Sequence, residues 1–268
     1  LFVSLIVLPA VLLAADRQAR GVRKPNPADR TVEMFAAIES KEIEVKLIPK
    51  DDTESRVQIK NNTKQPLNVK LPQAFAGVPV LAQFGGGGGG VGGGGGGNNS
   101  GGANQSMGGG MGGGMMGGGG MMGGGGGGGG MWSVAPEQVG QFKVATVCLE
   151  HGKKEPRPNI PYRIVPIEKF TTTPGVKELL TAFGNGHLNQ RATQAAAWHL
   201  ANRLSWPQLA AKRIVHLNGT SESWFSPQEI RAGMQFAQAA MVQARQEEGS
   251  PKSPGESVSP DRAVSRAD

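Results

Sequence analysis

Residues 85–130 read GGGGGGVGGGGGGNNSGGANQSMGGGMGGGMMGGGGMMGGGGGGGG. The run holds most of the chain's 43 Gly. Glycine loses the most backbone entropy on ordering and offers no side chain to bury, so the tract is expected to be a flexible, disordered coil. Its position decides the fold. Alternating β-type sequence runs up to it and resumes beyond it. The segment therefore reads as a Gly/Met-rich loop insertion (residues 85–131) in one β domain. Loop-closure cost grows only with the logarithm of length, so such an insertion is tolerated.

On the amino-terminal side, Ile43, Val45 and Leu47 alternate with Glu42, Glu44 and Lys46. Val57 and Ile59 alternate with Arg56, Gln58 and Lys60, and Leu67, Val69 and Leu71 with Asn68 and Lys70. These are three half-buried strands separated by the turns at Asp51-Asp52 and residues 61–66. Val78-Pro79-Val80-Leu81 reads as a fourth, placed at an edge by its proline. Beyond the tract, Phe142, Val144, Thr146 and Cys148 share one face of a strand, and Lys143, Ala145, Val147 and Leu149 the other. Apolar on both faces near its end, this strand should be central. A last strand runs over residues 162–167. The expected fold class is α+β: a small antiparallel β-sandwich or open barrel over residues 41–170, followed by a small helical unit over residues 171–246.

The helical unit opens after Thr173-Pro174 with Val176, Leu179, Leu180 and Phe183 at helical spacing. A second helix follows Asn189 and ends near Arg203. Ser205-Trp206-Pro207-Gln208 and Ser226-Pro227-Gln228-Glu229 are capping boxes that start two more. The last carries Ile230, Met234, Ala237 and Met241 as its expected buried stripe. Residues 247–268 are Ser, Pro and mixed charge and read as a disordered tail. At the other end, residues 1–15 are almost wholly apolar and end in Leu13-Ala14-Ala15, the pattern of a secretory signal cleaved near Ala15. Residues 16–40 form a basic linker and a short helix, with Asn26 as cap, Pro27 in the first turn and an end near Ser40.

Composition narrows the function classes. Among 268 residues the net charge is +7, but the Lys and Arg are scattered, whereas nucleic-acid binding needs a clustered basic stripe. One cysteine excludes an intramolecular disulfide and a Cys-based zinc site. The four His have no metal-ligand spacing, and no cofactor or small-molecule substrate is indicated. GxGxxG matches inside poly-Gly precede no suitable helix. The methionines of the tract could in principle offer thioethers to Cu(I), but its stretches lack the His and Cys that strengthen such sites. The expectation is an exported, non-enzymatic interaction or structural protein of the cell envelope or exterior. Its partner would be an unidentified protein or surface polymer, and any membrane attachment would come from an uncleaved signal segment.

Two residues carry a second reading. Cys148 sits on the inward face of its strand, where a free cysteine is ordinarily a small apolar filler. Thr193-Gln194-Ala195-Ala196-Ala197-Trp198 is either an Ala-rich packing helix or something more specific. The hexapeptide resembles the Thr-Gln-x-Ala-Ile-Trp motif of thioester domains in bacterial surface adhesins, with Ala197 where Ile is usual. The resemblance implies that a cysteine sulfur attacks the carboxamide of Gln194 and releases ammonia. Cys148 is the one cysteine available for that bond. The alternative function is therefore a covalent surface-adhesion module using Cys148 and Gln194.

Overall fold

Strand period and helix caps set most of the observed elements. The computed structural model describes residues 22–23, 25–80, 104–112 and 130–249. The expected signal segment, the chain beyond 249, and residues 81–103 and 113–129, which include most of the glycine tract and Leu81 of the expected fourth strand, lie outside them. In order, β1 (Val22–Arg23), β2 (Arg30–Glu33) and α1 (Met34–Glu39) precede β3 (Ile43–Pro49) and β4 (Glu54–Asn61). Then come β5 (Leu67–Lys70), β6 (Phe75–Pro79), β7 (Met107–Gly109), β8 (Met131–Val134), β9 (Val139–Cys148) and β10 (Tyr162–Pro166). The helical part comprises α2 (Ile167–Phe170), α3 (Val176–Gly184), α4 (Gln190–Asn202), α5 (Trp206–Ala211) and α6 (Pro227–Gly249). A hairpin of β11 (Arg213–Val215) and β12 (Ser221–Ser223) lies between α5 and α6.

The fold is α+β with mostly antiparallel pairing. Strands β10-β3-β4-β9-β7-β6 close into a barrel, so the expected open barrel is closed. Closure gives every one of these strands a partner on both sides over part of its length, while the end of β9 runs on past β4. A second sheet, β1-β8-β5-β2, takes β5 out of the barrel, and its β2–β5 pair is parallel. Leu47, Val57, Ile59, Phe75, Met107 and Phe142 belong to the core inside the β layer. A second core of Ala76, Val147, Leu149, Leu179, Leu180, Ala196 and Ala237 joins the outer barrel face to α3, α4 and α6. Among the described residues no helix is long and apolar enough to cross a membrane.

The loop-insertion reading is corrected at its centre. Residues 104–112 are ordered, and Met107–Gly109 is a barrel strand hydrogen-bonded between β6 and β9. Met107 is fully buried and Met111 nearly so, which places both in the core, whereas Met115, Met116, Met121 and Met122 lie outside the described residues. Here glycine is required by proximity. A Cβ on Gly108 would stand 2.7 Å from Leu180 Cδ1, and one on Gly110 2.3 Å from the Gln73 carbonyl oxygen and 2.7 Å from Gly184 Cα. Helix α3 rests on the bare backbone of β7, an approach that side chains would prevent. The tract also ends earlier than expected, because Met131 opens β8.

Three further corrections have local causes. Residues 30–33 are a strand, and the short helix starts after Glu33, whose carboxylate accepts from the Ala36 N–H at 2.9 Å; Asn26 instead closes a tight turn onto Ala28 N–H. The fourth strand begins at Phe75, inside the closed barrel, and Pro79 ends it. On α6, Ile230, Ala237, Ala240 and Ala244 are buried while Met234 is 41 % exposed. Small residues face α4, because a Cβ on Gly233 would already lie 2.9 Å from the Ala192 carbonyl oxygen.

Candidate functional site

The end of β9 has an open flank. On one side β9 pairs with β7, and the Leu149 N–H continues that pairing by donating to Ser106 O at 2.9 Å. On the other side β4 pairs as far as Glu54 opposite Ala145, and Thr53 O takes the Thr146 N–H. Past that point Cys148 directs a buried N–H and C=O toward a place where no strand continues. Unpaired, each would cost about 1–3 kcal/mol.

Helix α4 fills the gap with side chains. Asn189 caps it by accepting from the Ala192 N–H. The helix then lays Gln190 and Gln194, one turn apart, along the flank. Gln190 Nε2 donates to Thr146 O at 3.1 Å. Gln194 Oε1 accepts from the Cys148 N–H at 2.7 Å, and Gln194 Nε2 donates to Cys148 O at 2.9 Å. The carboxamide thus behaves as one residue of the missing strand. Ala195, Ala196 and Ala197, all fully buried, allow the close helix–sheet approach that this requires. The two residues singled out from the sequence are brought together: Cys148 and Gln194 are in direct contact, each nearly fully buried.

Beside them lies a pocket of about 160 Å³, lined by Cys148, His151, Trp198, Lys212, Trp224 and Gln105, with Asp52, Lys153 and Glu155 also on its walls. Trp198 lies one helical turn beyond Gln194. His151 meets its ring edge-on at 4.8 Å, and the His151 N–H donates to Asn202 Oδ1 at 3.1 Å. Lys212, the residue that ends α5, donates from Nζ to His151 Nε2 at 3.1 Å. Its ammonium sits 5.3 Å from the Trp198 ring centre and 4.8 Å from that of Trp224.

Burial governs the protonation states. It pushes the Cys148 thiol well up, and the negative charges of Asp52 and Glu155 add to the effect. It pulls the His151 imidazole down, with Lys212 adding repulsion. Lys212 is lowered by burial, against the opposing charge of Glu155. The site accordingly holds a protonated thiol, a neutral imidazole accepting at Nε2, and an ammonium held by rings.

Two buried polar atoms of residues that line this pocket, Trp198 Nε1 and Gln105 Oε1, have no hydrogen-bond partner among the described residues. Both residues are only 4 % exposed. Sequence reasoning missed Gln105, which lies within the glycine tract, and Lys212, and it set His151 aside as a neighbour of Cys148 on strand parity, although His151 and Cys148 both line this pocket. The signal that existed was Trp198, the last residue of the hexapeptide. No group of three or more His, Cys, Asp or Glu among the described residues is placed to hold a metal ion. Comparison of the chain with protein-family models, with curated proteins and with solved structures finds no match to any of them.

Proposed function

We propose that the chain is an exported surface module in which Cys148 and Gln194 join as an internal thioester, ready to acylate a partner. The observation that carries this reading is the seating of the Gln194 carboxamide on Cys148. The Cys148 N–H on Oε1 at 2.7 Å polarises the carbonyl whose carbon the sulfur must attack. A backbone donor fixed in a buried site is the arrangement that stabilises a developing oxyanion. In the bond-forming step the Cys148 sulfur adds to the Gln194 side-chain carbon, the C–N bond breaks, and the thiol proton leaves with the amide nitrogen as ammonia. His151, whose imidazole burial holds in the neutral form, lines the same pocket and is a group suited to move that proton.

The same hydrogen bonds favour a second reading, an ordinary non-covalent interaction module. Gln190 serves Thr146 in a similar way with no cysteine involved, so Gln194 could be a structural clamp and Cys148 an inert thiol. Thiol counting in denaturant separates the two. A thioester leaves no titratable thiol until methylamine is added, when one appears per chain. The clamp reading requires one thiol per chain from the moment of unfolding, with no response to methylamine.

A further inference from the structure

An ammonium has protons to give and no lone pair to receive one. Lys212 Nζ, 3.1 Å from His151 Nε2, is therefore the donor of that contact, and Nε2 accepts as the bare nitrogen of a neutral imidazole. The bond exists in one protonation state only. A proton on Nε2 sets two cationic donors against each other. The same ammonium lies 4.8 Å from the Trp224 ring centre and 5.3 Å from that of Trp198. One side chain thus ties together the loop after β9, helix α4 and the end of the β11–β12 hairpin. Lys212 is also the hinge between α5 and β11. Its N–H donates to Leu209 O at 3.2 Å as the helix ends, and its C=O accepts the Trp224 N–H at 2.8 Å at the hairpin root. Beyond that root the hairpin pairs only with itself among the described residues, and five of its six strand residues are exposed. A two-stranded hairpin is marginal on its own, so the Lys212 and Trp224 side chains anchor it. Both side chains wall the pocket that Cys148 also lines. We propose that the Lys212–His151 contact is a pH latch on this pocket: a proton on His151 breaks it, loosens the hairpin root and opens the way to Cys148. Its role as a gate for acyl transfer rests on the thioester reading; the latch itself does not require the Cys148–Gln194 bond.

The charges around His151 set where the latch releases. Lys212 faces it from the end of α5, Lys153 and Glu155 from the loop after β9, and Asp52 from the turn between β3 and β4. Glu150, its neighbour in sequence, is engaged by Lys153 and by the Ser106 N–H. Helix α4 brings only neutral groups, the Asn202 oxygen that holds the His151 N–H and the Trp198 ring. Burial and then the Lys212 charge oppose a proton on the imidazole. The latch is therefore closed at neutral pH and releases below the ordinary histidine value of about 6.5. An opened pocket restores water to the ring and takes Lys212 away, so the open form binds the proton more tightly and acid favours opening. Glu155, which already attracts the Lys212 ammonium, remains as its partner once the histidine contact is gone.

The test uses the full chain and hydrogen exchange read as protection factors, which remove the intrinsic effect of pH on exchange. One coupled proton changes an opening equilibrium by up to about 10-fold per pH unit. In the parent, protection over residues 212–224 should fall about 10-fold or more between pH 7.5 and pH 5.5, while that of residues 190–198 in α4 holds. His151→Gln keeps an acceptor that takes no proton, and its hairpin should show no fall. Lys212→Met keeps the apolar stem against the rings and removes the donor; its protection should be low at pH 7.5 and equally low at pH 5.5. Should one variant fail to fold, the other carries the comparison. Access to Cys148 is read as its rate of reaction with dithiodipyridine at pH 5.5, after methylamine treatment of every chain, in the parent against His151→Gln, so that the thiol's own ionisation cancels. The parent is expected to react about 10-fold faster. No fall in the parent, an equal fall in the parent and the variants, or equal Cys148 rates in the parent and His151→Gln would each overturn the latch. A parent chain of full sequence mass would overturn the thioester reading and leave these comparisons standing.

Discussion

Removing the Gln194 carboxamide would strand the N–H and C=O of Cys148 in a buried site. Gln194→Ala should therefore cost about 1–3 kcal/mol for each group left unpaired, read as a drop in the urea midpoint. A loss below about 0.5 kcal/mol would show that the flank of β9 finds other partners. His151 makes a second residue-scale prediction. Its folded pKa lies below the unfolded value near 6.5, so the unfolded chain binds the proton more readily. The associated stability is complete above about pH 6.5 and is lost as pH falls toward the folded value. The charges that share its pocket are Lys212, Lys153, Asp52 and Glu155. His151→Gln should flatten this part of the acid-side slope, and an unchanged slope between pH 7 and pH 5 would contradict it. At this scale the hexapeptide draws attention to Gln194 and the single cysteine to Cys148, and the fold brings the Gln194 carboxamide onto the Cys148 backbone. Gln105, His151 and Lys212 carry no such signature; three separate parts of the chain deliver them and only the folded contacts show it.

Among the elements, α6 offers the sharpest contrast. Met234 is 41 % exposed, so Met234→Ala should change stability by less than about 0.5 kcal/mol. Gly233→Ala introduces a better helix former, yet its Cβ would stand 2.9 Å from the Ala192 carbonyl oxygen and 3.2 Å from Ala195 Cβ. It should destabilise by about 1–3 kcal/mol by forcing α6 from α4. A stabilising Gly233→Ala would mean that the two helices do not meet as closely as described. The period of α3 and the caps of α4, α5 and α6 were legible because each rests on local chemistry, whereas α3 starts after Gly175 with no side-chain cap and not from Thr173. Ser226 and Glu229 exchange hydrogen bonds as the sequence pattern requires. The face of α6 was legible in part: Ile230 and Ala237 are buried as expected, but Met234 is exposed, and Gly233, Ala240 and Ala244, which read as neutral, complete the buried face. Strand β7 was hidden for a related reason. A strand pressed against a helix backbone needs glycine, and glycine repeats read as coil.

For the whole molecule, closure of the barrel depends on nine residues inside the glycine tract, 104–112. Deleting them removes the strand between β6 and β9 together with Met107 and Gln105. A chain with residues 85–130 replaced by a short Gly/Ser linker should lose its single cooperative unfolding transition. One that keeps 104–112 while shortening 85–103 and 113–129 should retain it. The central claim about function is settled most directly by the intact mass of the purified full chain, measured without prior exposure to amines. The account predicts a mass lighter than the sequence by one ammonia, restored to the sequence value in Cys148→Ser and in Gln194→Ala. A parent chain of full sequence mass, with Cys148 alkylated once on unfolding, would contradict it.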